Sequence, residues 1–92
     1  MFPTSVGIDT MSGAGYVGGN NTPTIIYGIH HATVGGDDIE LLNGNGGDSV
    51  INQTYTAGEI VLDFPYGIMF SAGCYISNMG DINPTVYYRK VV

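Results

Sequence analysis

Apolar and polar residues alternate with a period of two along much of this chain. Ile60, Leu62 and Phe64 interleave with Glu59, Val61 and Asp63. A strand sends successive side chains to opposite faces, so this segment predicts a strand with one buried face. Residues 24–34 are dense in β-branched and aromatic types and predict another. Gly35-Gly36 ends it. Residues 38–43 follow as a strand with Ile39 and Leu41 on one face and Glu40 and Leu42 on the other. The cluster Asn43-Gly44-Asn45-Gly46-Gly47-Asp48 reads as a turn, and 49–55 as a third strand. Pro65-Tyr66-Gly67 predicts a tight turn after 59–64, with 68–70 extended, a bend at 71–73 and 74–77 extended again. A loop over 78–84 leads to a last strand at 85–92. Apolar residues nowhere recur at i, i+3, i+4 and i+7 over a helical length.

Six or seven short strands joined by Gly-rich turns imply antiparallel packing. One sheet alone would leave a face wet, so the expected fold is all-β: an antiparallel β-sandwich, jelly-roll-like, over residues 24–92. Ile60, Leu62, Phe64 and Phe70 are expected in its core. Residues 1–23 read as a Gly-rich N-terminal arm with little periodicity, in which only 5–8 suggest a short strand. The arm holds Phe2, Val6, Ile8, Met11, Tyr16 and Val17 but a single charge, Asp9. These apolar groups are too scattered for a core and too many for a solvated linker. The arm is expected to order against a neighbouring subunit or another protein surface, the alternative being that it folds back on its own domain as an extra strand.

Charge sharpens the picture. The 92 residues suit one domain and carry eight acids and two bases, for a net charge of −6. A soluble chain of this length would average about 25% charged residues; here the share is 11%. Charge normally keeps small domains apart, so a surface this poor in it is expected to be covered in an assembly. The bases, Arg89 and Lys90, are adjacent. Two residues build no basic groove, which argues against nucleic acid and anionic lipid as partners. Cys74 is the single cysteine, so there is no intrachain disulfide framework. No basic segment with an apolar run opens the chain, so Met1 is expected to be the native start, without a secretory signal. No run of 18 apolar residues suggests a membrane helix. Synthesis in a reducing cytosol is the expectation.

The chemistry-bearing residues form no recognisable constellation. His30-His31 with Asp37-Asp38 is the nearest to a metal cluster. Neighbours in a strand point to opposite faces, so one His at most joins a given site. The expectation is one histidine partly buried and hydrogen-bonded, the other exposed. The 43–48 cluster lacks the alternating acids and closing Glu of a calcium loop. It also lacks the Lys-Ser/Thr of a phosphate loop. Cys74 sits in an apolar run and reads as a small buried hydrophobe. Tyr27, Tyr66, Tyr75, Tyr87 and Tyr88 lie in or beside strands. They suit protein interfaces, where the ring buries area and the hydroxyl finds a partner. No catalytic, cofactor-binding or metal-ligating residue is predicted, and the chain is read as a structural building block and not an enzyme.

The block 24–29 (Thr-Ile-Ile-Tyr-Gly-Ile), the block 60–75 (Ile-Val-Leu-Asp-Phe-Pro-Tyr-Gly-Ile-Met-Phe-Ser-Ala-Gly-Cys-Tyr) and the ending Val86-Tyr87-Tyr88 resemble small structural proteins of tailed bacteriophages. The resemblance spans about three quarters of the chain and rests on packing and turn residues; the Gly-rich arm lies outside it. It implies a β-sandwich capsid decoration (cement) protein on the virion surface, made in the host cytoplasm. The implied partners are other copies of itself, with a trimer favoured, and the major capsid protein. Alternatives are a tail, neck or fibre component, or a carbohydrate-binding β-sandwich module.

Overall fold

The computed structural model describes residues 6–33, 37–55, 58–79 and 83–91. Among these there is no α-helix. Eight strands appear in the order β1 (Gly7–Thr10), β2 (Gly15–Tyr16), β3 (Thr24–Thr33), β4 (Asp37–Asn43), β5 (Ser49–Tyr55), β6 (Gly58–Phe70), β7 (Cys74–Asn78) and β8 (Thr85–Lys90), with one 3-10 turn at Val17–Gly19. They form two four-stranded sheets, ordered β1-β8-β3-β6 and β2-β7-β4-β5, in which every paired neighbour is antiparallel. The expected all-β sandwich is therefore what the chain forms. The first strand pairs with the last, the second with the seventh, the third with the sixth and the fourth with the fifth.

The sheets face each other across Val17, Ile26, Ile29, Ile39, Leu41, Phe70, Cys74, Ile76 and Val86, all with no exposed surface, and Met11 and Met79 border them. Alternation explains the choice. Ile29 stands opposite Leu62 and Val86, and Ile26 opposite Ile68 and Tyr88, so these rows share the inner face. The expected core was only partly right. Phe70 is fully buried, but Leu62 and Phe64 are half-buried at its margin. Strand β6 is an edge strand, so its inward residues border an opening instead of being enclosed. The side chain of Ile60 lies outside the described residues.

Two further expectations change. Residues 65–67 do not end a strand. Strand β6 runs through them as a wide bulge, in which Tyr27 alone stands against Phe64–Gly67 between the pairs Ile26–Ile68 and Gly28–Asp63. Pro65 donates no ladder hydrogen bond and Gly67 has φ +78°, which together make the bulge. Residues 7–19, read as an arm, are built into the sandwich. Strand β1 pairs with β8 and β2 with β7, and Val17 is in the core. The cause is a set of polar ties: Gly18 N–H donates to Asp9 Oδ2 at 2.8 Å, and Met11 N–H to the Pro84 carbonyl at 2.9 Å. Lys90 Nζ donates to the Asn20 carbonyl at 2.9 Å and to Thr24 Oγ1 at 2.8 Å. Residues 1–5 lie outside the described set.

The turn cluster forms as expected. Asn43 N–H donates to Asp48 O and Gly47 N–H to Gly44 O. It is tied to the 71–73 bend, where Ala72 N–H donates to Asn43 Oδ1 and Gly44 N–H to Gly73 O, each at 2.8 Å.

Candidate functional site

The two outer faces differ in character. On the β1-β8-β3-β6 sheet, residues directly opposite one another give three outward rows: Ile8–Tyr87–Gly28–Asp63, Thr10–Thr85–His30–Val61 and Arg89–Ile25–Met69. Ile8 is 65% exposed, Val61 58% and Met69 52%. Tyr66, thrown out by the bulge beside them, is 98% exposed. Apolar groups scattered singly are ordinary; here four share one sheet face, Ile8 at its β1 edge and the others along its β6 edge, with Thr85, His30 and Arg89 on the strands between. The outer face of the β2-β7-β4-β5 sheet is more polar. Asn52 Nδ2 and Ser77 Oγ donate to the two oxygens of Glu40, at 3.3 and 2.7 Å, and Thr54 Oγ1 donates to Asp38. Its aromatic pair, Tyr16 and Tyr75, packs edge to face with ring centres 5.0 Å apart, and the Asn45 N–H caps the Tyr16 hydroxyl. Among the described residues, Val50 is the one large apolar side chain exposed on this sheet.

The histidine pair separates as strand alternation requires. His31 is 8% exposed on the inner side. His30 is half-buried on the outer face, not more open as an exposed partner would be; its Nε2 lies 3.3 Å from Asp63 Oδ1 and its ring meets Tyr87 edge on at 4.7 Å. This places a His–Asp pair in the middle of the apolar face. No group of three His, Cys, Asp or Glu side chains converges among the described residues. The side chain of Asp37 lies outside them. Cys74 is enclosed, and burial pushes its thiol up to about 12 against the opposing pull of the Lys90 charge. A thiol so protonated is a packing group and a poor nucleophile. Lys90 is itself lowered by burial, with the Cys74 and Asp9 charges working the other way.

Sequence reasoning missed a second feature. Strands β5 and β6 are the edges of the two sheets on one side of the sandwich. Between them opens a groove of about 560 Å³, walled by 49–53 of β5 with Leu62 and Phe64 of β6. Its floor is apolar, through Ile51, Leu62 and Phe64, and its wall is uncharged. The opposite side of the sandwich is closed by the 3-10 turn, where Tyr88 and the Lys90 stem lie over Gly18. Alternation identifies Leu62 and Phe64 as inward; that their strand is an edge requires the sheet order.

Comparison with protein-family models, with curated proteins and with solved structures returns no match to this chain.

Proposed function

We propose that this chain is a virion structural protein, a capsid decoration protein that stabilises the shell by protein–protein contact. The observation that carries the reading is the contrast between the faces: an apolar and aromatic face bearing Ile8, Val61, Tyr66 and Met69, backed by a sheet on which Asp38 and Glu40 are engaged by neighbouring side chains. Such a domain lies on a larger surface by one face and turns the other to water. The sparse charge of the chain supports the same reading, because little desolvation opposes covering that face. The strand order adds to it. Pairing first with last through to fourth with fifth supports a jelly-roll reading of the sandwich, an architecture used in viral capsid and lectin domains. Architecture alone does not assign a role, so the face carries the argument. Cosedimentation with viral shells, with substitutions on the apolar face, tests it.

A second reading has one observation in its favour. The Tyr66 ring, 98% exposed, is free to stack on a sugar, as in a carbohydrate-binding module. Glycan-array binding that is lost in Tyr66→Ala supports that reading instead.

A further inference from the structure

Two Asn-Gly pairs, Asn43-Gly44 and Asn45-Gly46, share the turn that joins β4 to β5. An asparagine before glycine is open to attack by its own backbone, because no Cβ on the glycine shields the main-chain nitrogen from the side-chain amide carbon. The attack needs a free side-chain amide, a free and solvated N–H on the glycine, and a backbone able to bring the two within about 3–3.5 Å. The fold treats the two pairs oppositely. Asn43 Oδ1 accepts the Ala72 N–H at 2.8 Å, and Asn43 Nδ2 donates to Ser71 Oγ at 3.2 Å. Gly44 is buried and gives its N–H to the Gly73 carbonyl at 2.8 Å. Every group that the reaction would use at Asn43 is therefore held. Asn45 and Gly46 are exposed at the tip of the turn. Among the described residues, none hydrogen-bonds the Asn45 side-chain amide or the Gly46 N–H; the tie at this point runs from the Asn45 N–H to the Tyr16 hydroxyl, at 3.0 Å. A Cβ placed on Gly46 would meet nothing within 4 Å.

We propose that Asn45 is a self-modification site, at which the chain converts its own amide to a carboxylate while Asn43 stays intact. The Gly46 nitrogen loses its proton to hydroxide and bonds to the Asn45 Cγ atom. The bond from Cγ to the side-chain nitrogen breaks, that nitrogen leaves as ammonia, and a succinimide ring closes. The Asn45 N–H lies outside the ring, so its tie to Tyr16 does not oppose closure. Water then opens the ring. Breaking the ring bond at Cγ gives aspartate on an ordinary backbone. Breaking it at the main-chain carbonyl carbon gives isoaspartate, with the backbone routed through Cβ and Cγ. One water is consumed and one ammonia released; no electrons are transferred and no other reactant is needed. Either product adds one negative charge to a chain of net charge −6, in a turn that already holds Asp48. Isoaspartate also lengthens the backbone between the Gly44 carbonyl and the Gly47 N–H, the hydrogen bond that closes the turn. The modification needs no partner and does not involve the apolar outer face, so it stands apart from the decoration-protein reading.

The test incubates the full chain at mildly alkaline pH, once folded and once in urea, and follows each asparagine by peptide mass mapping. In urea the two positions convert at similar rates, because each asparagine precedes a glycine. In the folded chain position 45 converts to a mixture of aspartate and isoaspartate. Asn43 converts at least roughly tenfold more slowly there, the effect of a barrier higher by about 1.4 kcal/mol. In Asn45→Gln, folded by circular dichroism, the turn no longer converts at the wild-type rate. A folded chain in which Asn43 converts as fast as Asn45, or in which Asn45 keeps its amide, overturns the proposal. A tenfold difference that persists in urea overturns it as well, because the fold would not be the cause.

Discussion

Gly67 lies against Ile25 with φ +78°, and a Cβ placed on it would enter the space of the Ile25 Cγ2 atom and press on the Tyr27 ring. The wide bulge of β6 depends on this contact. Gly67→Ala is expected to cost more than the roughly 1–2 kcal/mol of a left-handed backbone alone. Gly46, with φ +81° and open space around its missing side chain, supplies the comparison. Urea denaturation of the two alanine variants separates backbone strain from packing. Equal losses would mean that the bulge relaxes freely.

Phe70 and Phe64 sit on the same strand with different enclosure. Phe70 is fully buried among the core residues, while Phe64 lines the open groove. Phe70→Ala is expected to cost about 3–5 kcal/mol. Phe64→Ala should cost distinctly less in the isolated chain, because part of its ring already meets water. Denaturation midpoints at equal m-values decide this; a larger loss at Phe64 would place the core wrongly.

The N-terminal segment belongs to the fold. Deleting residues 1–20 removes β1 from β8, takes Val17 out of the core and strips the Asn20 carbonyl from Lys90. The truncated chain is expected to unfold or to lose most of its cooperativity in thermal melts. A truncated chain with wild-type circular dichroism and melting would show that this end is an accessory.

Burial of Cys74 gives stability a pH dependence. The folded thiol is raised from 9.0 to about 12, so above pH 9 the unfolded chain releases a proton that the folded chain retains. The stabilisation from this group is full below about pH 9 and declines as pH rises toward 12. The lowered Lys90 works in the opposite direction below its ordinary range, which makes the Cys74→Ala difference the clean readout. Denaturation at pH 8 and pH 10 should show a smaller loss in Cys74→Ala than in the parent chain. A thiol reagent should modify Cys74 slowly until the chain unfolds; rapid labelling of the folded protein would contradict the burial.

The strands were legible where alternation was clean. Segments 24–33, 38–43 and 49–55 follow directly from β-branched density and Gly-rich breaks, because one residue of slip would turn a whole face outward. Pro65-Tyr66-Gly67 was read as a turn because the same residues build turns and bulges. Only the pairing with β3 separates the two. Residues 7–19 looked like an arm because their order comes from distant partners, Pro84 and strand β8, and not from local periodicity. The apolar face was less visible still. Ile8, Val61 and Met69 are 53 and more positions apart or on opposite ends of one strand, and only the sheet order brings them together.

The claim that the apolar outer face docks on a viral shell is tested most directly by cosedimentation. Under the proposed reading the chain is a viral product, and the shells are those of that virus prepared without the protein. The account predicts saturable pelleting of the wild-type chain, weakened at least roughly tenfold when Val61→Asp and Met69→Asp are combined in a variant that still folds. A wild-type chain that stays in the supernatant at roughly tens of micromolar, or a double variant that pellets equally well, would contradict it.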